Sequence, residues 1–99
     1  MSAPHVVQPE QAEAIRQVLV DVNDALSSLE MDACDVSDME ELIAMAHAEL
    51  DSPQPKVATL ATYLNSLARS LRTEPSARTV VMELDAVMRE AHMPTTWER

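Results

Sequence analysis

Few side chains in this sequence are of the kinds that do covalent or metal chemistry, and their spacing argues against most of it. The one cysteine, Cys34, stands between Asp32 and Asp35. Neighbouring carboxylates disfavour a thiolate, so the sulfur reads as an inert thiol rather than a nucleophile. A di-iron bundle would need Glu-x-x-His pairs, which put both ligands on one helical face. Three residues before His47 stands Ala44, and three before His92 stands Arg89. Cys-x-x-Cys, His-Glu-x-x-His and glycine-centred calcium loops are missing too, so Asp32, Asp35 and Asp38 read as a solvated acidic turn. The chain has no glycine, which removes the loops whose backbone cradles phosphate at positive φ. The expectation is a protein that is not an enzyme, with no catalytic residue, no metal and no cofactor.

What stands out chemically is the density of carboxylates. Residues 1–54 carry twelve acids against a single base, Arg16, whereas residues 55–99 carry five acids and six bases. At about 100° per residue, Glu10, Glu13, Asp21 and Asp24 share the outer face of a first helix. Asp32, Asp35, Asp38, Glu40 and Glu41 extend that acidity past the following turn. These nine residues are the candidate partner-binding surface. Such a surface repels phosphates, so direct nucleic-acid binding and attraction to an anionic membrane are both disfavoured. It suits a protein partner with a basic surface. The expected function is a non-enzymatic protein–protein interaction module, whether regulatory adaptor, chaperone-like protein or inhibitor. The alternative is an acidic inhibitor whose carboxylates stand in for nucleic-acid phosphates on a DNA- or RNA-binding protein. Secondary contact candidates are Met82, lying opposite the apolar stripe of its own helix, with Arg78 and Arg89 beside it, and Trp97 beyond Pro94.

The elements that position these residues follow from apolar periodicity. Ile15, Leu19, Val22, Leu26 and Leu29 recur at steps of three and four, as do Val57, Leu60, Leu64, Leu67 and Leu71. Ala77, Val80, Leu84, Val87 and Ala91 form another such stripe, and Met39, Leu42, Ile43, Ala46 and Leu50 a softer one. That spacing places each set on one side of a helix, and no stretch alternates as a strand would. The fold expected is all-α: a small four-helix bundle made of two antiparallel helical hairpins running up and down. The helices are placed at about 9–30, 38–50, 55–72 and 74–92, between a flexible tail at 1–8 and a C-terminal tail at 93–99. Pro9 and Pro55 suit first helical turns, Ser37 and Glu40 a capping box, and Thr73 a cap for the last helix. Val81 and Met88 widen the apolar face of that helix, which a second copy could cover to give a symmetric homodimer. No apolar run reaches the roughly 20 residues that span a bilayer. With no leader pattern and a lone cysteine, a cytoplasmic location is expected.

Overall fold

The computed structural model describes residues 6–29 and 31–91, and these form four helices. They are α1 (Pro9–Leu26), α2 (Ala33–Asp51), α3 (Val57–Leu71) and α4 (Arg78–Glu90), the last preceded by a single 3-10 turn at Pro75–Ala77. No strand is present among the described residues; the one β-bridge joins Val6 to Lys56. The helices form a ring in which each packs on its two sequence neighbours and α4 closes back onto α1. Arg16 in the first half of α1 reaches Leu50 at the end of α2, and Gln11 in the first turn of α1 reaches the Glu90 carbonyl at the end of α4. Neighbouring helices therefore run antiparallel, as an up-down bundle requires. The most extensive packing is α2 on α3 and α1 on α4, so the tightest seam of each pair lies between the two hairpins rather than within them.

The core is aliphatic, and the stripes supply it. Ile15, Leu19, Val22 and Leu26 of α1 are buried with Leu60, Leu64, Leu67 and Leu71 of α3 and Val80, Leu84 and Val87 of α4. Met39, Ile43, Ala46 and Leu50 complete it from α2. Asn65 is the one buried polar residue among those described, and its Nδ2 donates to the Ala61 carbonyl at 2.8 Å. That bond keeps the amide from being stranded in an apolar core.

Several boundaries differ from expectation, each for a local reason. α1 stops at Leu26, not near residue 30. The Ser27 hydroxyl donates to the Asp24 carbonyl, and Leu29 N–H folds back to Leu26. Leu29 thus packs on the core from the connection. α2 begins at Ala33 with Asp32 at its N-cap, about a turn earlier than residue 38, so Ser37 and Glu40 lie inside the helix and form no capping box. α2 ends where both the backbone N–H and the hydroxyl of Ser52 donate to the Glu49 carbonyl. α3 starts at Val57 with Lys56 at its N-cap, and the Lys56 N–H is taken by the Glu49 carboxylate at 2.8 Å. Thr73 does not cap α4; its hydroxyl donates back to Ser70, and the 3-10 turn leads into the helix instead. Part of the expected N-terminal tail is packed: Val7 is buried and its N–H donates to Pro55 at 2.8 Å. Met88, expected with Val81 to widen the apolar face of α4 beyond its stripe, is fully buried in the core, so the extra apolar surface there shrinks to half-buried Val81 and exposed Met82.

Candidate interaction surface

The nine candidate carboxylates do not form one face. Arg16 orients the α1–α2 side: its Nη2 donates to the Leu50 carbonyl at 3.1 Å and lies 2.7 Å from Asp51. Glu40 precedes Asp51 by eleven residues, about three turns, so it lies on the same side of α2. It lines a shallow cleft together with Asp24 of α1. Glu10 and Glu13 are exposed further down α1, and Glu41 is exposed next to Glu40. These five acids make a wall along α1 and α2. Asp38 stands eleven residues before Glu49, whose carboxylate holds the α2–α3 connection, so Asp38 and Asp35 line the other flank of α2. Asp32 sits at the exposed N-terminus of α2, where the helix dipole favours a negative charge.

Asp21 also leaves the wall. It is half-buried against α4, where it shares a side-chain hydrogen bond with Glu83. That bond, then burial, then the Asp21 charge hold Glu83 above its ordinary value of 4.5. The Gln17 amide donates to the same Asp21 carboxylate at 3.2 Å.

On the opposite side of the ring, the α3–α4 corner carries the secondary candidates Arg78 and Met82 around one apolar depression. Leu71, Pro75 and Val81 floor it, with Arg72 and Glu74 at its edge. Arg89 lies further along α4 and is engaged by Asp85 at 2.8 Å. Trp97 lies outside the described residues. No protein-family model, curated protein or solved structure matches the chain. No helix among the described residues is long and apolar enough to cross a membrane. No three His, Cys, Asp or Glu side chains among the described residues are grouped as a metal site would need.

Sequence reasoning missed three features of this surface. The Arg16 anchor was signalled by its being the only base of the acidic half. The Asp21–Glu83 pair and the Leu71–Pro75–Val81 depression depend on which helices become neighbours, and one-dimensional spacing does not encode that.

Proposed function

We propose that this protein is a non-enzymatic interaction module whose α1–α2 wall engages a basic protein partner. The observation that carries the reading is the state of Arg16. The one cation of the acidic half is spent on Asp51 and the Leu50 carbonyl. Exposed Glu10, Glu13, Asp24, Glu40 and Glu41 are thus left with no interleaved base. Uncompensated charge of one sign on a low-dielectric wall steers an oppositely charged partner and speeds its approach. A regulatory adaptor or inhibitor in the cytoplasm fits this chemistry, and a sequence without glycine builds no phosphate-cradling loop of the kind many enzymes use.

Parallel capture from the native host tests the reading, with the wild type and Glu13→Lys/Glu41→Lys as baits at low salt. A basic protein retained by the first and lost from the second supports it. Identical captures contradict it. Displacement of that partner by duplex DNA or RNA would assign the wall to nucleic-acid mimicry, and indifference to both would assign it to an adaptor.

A further inference from the structure

Two surface features at one end of the bundle are complementary in charge. The first is a knob. Met82 is the most exposed large apolar side chain among the described residues, at 65%, and Arg78 stands one turn before it. The second is the socket between α1 and α2. It is lined by Leu26 and Val36, by Asn23 and Ser27, and by the carboxylates of Asp24 and Glu40. One exposed methionine is ordinary on a soluble protein. What is unusual is that both features lie within about two turns of the same end: the last turns of α1, the first turns of α2 and the first turns of α4.

The ring order puts them on opposite sides. α1 and α2 form one wall, and α3 and α4 form the wall across from it. We infer that the occupant of the α1–α2 socket is a second copy of this chain, which inserts Met82 between Asp24 and Glu40 and sets its Arg78 against those carboxylates. A sideways displacement of one copy brings the two features together at the same height. Because knob and socket face opposite ways, the contact is heterologous: each added copy offers a fresh socket, and a row grows instead of a closed symmetric dimer. The contact is one or two helical turns wide, below the area of a permanent interface. The net charge of −10 also sets copies against one another at long range. At about 0.15 M salt that repulsion is screened beyond roughly 8 Å, while the short-range pairs persist. The association is weak, with Kd on the order of 0.1–1 mM. This inference goes beyond the reading above, and it holds or fails in purified protein with no other partner present.

The test is sedimentation velocity of the full chain at about 0.15 M salt, from about 10 μM to 2 mM. The wild type is expected to gain mass steadily with concentration. Arg78→Glu alone and Asp24→Lys/Glu40→Lys alone should each weaken association by about tenfold or more, since each places like charges across the contact. Arg78→Glu adds an acid at a helix N-terminus and Asp24→Lys a base near a C-terminus, changes the helix dipoles favour, so folding is retained. Met82→Ala should weaken association by a similar factor through lost apolar burial. The deciding sample is an equimolar mixture of the two charge variants. Each junction then pairs opposite signs, and association should return. A wild type monomeric throughout, growth that stops at a dimer, unaffected single variants, or a mixture that stays monomeric would each overturn the inference.

Discussion

Replacing Leu64 with alanine probes the bundle at its centre. Leu64 is fully buried in the middle of α3, and α3 packs against both α2 and α4. The substitution removes three carbons, or about 2.4 kcal/mol of apolar transfer at ~0.8 kcal/mol each. Helices held on two sides close poorly over the gap, and a residual void of roughly 50 Å³ adds about 1 kcal/mol. The expected loss is therefore about 3.5 kcal/mol, a large share of the 5–15 kcal/mol that is typical of small domains. Urea unfolding followed by circular dichroism reads it as a lower midpoint at unchanged slope, and a thermal melt as a fall of about 15–25 °C. Met82→Ala serves as the exposed control and should stay within about 0.5 kcal/mol of wild type. A Leu64→Ala cost below about 1 kcal/mol would mean that α3 presents this stripe to solvent, and the packing account would fail.

Two more outcomes follow from the seams between helices. Arg16→Ala should cost about 1 kcal/mol, mostly from losing its part-buried bond to the Leu50 carbonyl. Asp51→Ala should cost less than about 0.5 kcal/mol, because the Asp51 side chain is 67% exposed and surface ion pairs contribute little; urea unfolding that ranked the two the other way would refute this. At the α1–α4 seam, Glu83 binds its proton more tightly folded than unfolded. Its contribution is thus fully present at and below its ordinary value of 4.5 and is lost as pH rises through the raised folded value. Melting temperatures taken upward from pH 4.5 should fall more in wild type than in Glu83→Gln, which keeps a donor for Asp21 but does not titrate. Parallel profiles would show that the shared proton is not there.

Wherever burial writes a period into the chain, the fold was legible. Leu19, Leu60, Leu64, Leu71 and Leu84 were all placed on the core by spacing alone, and all are fully buried. The start of α2 was not legible, because its first turn is exposed apart from half-buried Val36 and so carries no apolar rhythm. Ser37 and Glu40 matched a capping pattern, but the helix begins more than a turn earlier, with Asp32 at the N-cap position. The acidic wall was legible only in outline. Helix azimuth put Asp21 with Glu10 and Asp24, yet α4 packs close enough to draw it to Glu83. Which flank of α2 meets α1, and hence that Glu40 joins Asp24 while Asp38 does not, is decided by tertiary packing.

The interaction reading is tested most directly by association kinetics. The partner captured from the host is flowed over immobilised wild type and Glu13→Lys/Glu41→Lys across a salt series. These two exposed positions lie outside the Asp24–Glu40 cleft. Steering by the α1–α2 wall predicts that the reversed protein associates about tenfold more slowly at low salt, and that the two rates converge as salt shortens the Debye length to a few Å. Equal rates at low salt would contradict the account and leave the wall as a coat of charge that keeps the protein soluble.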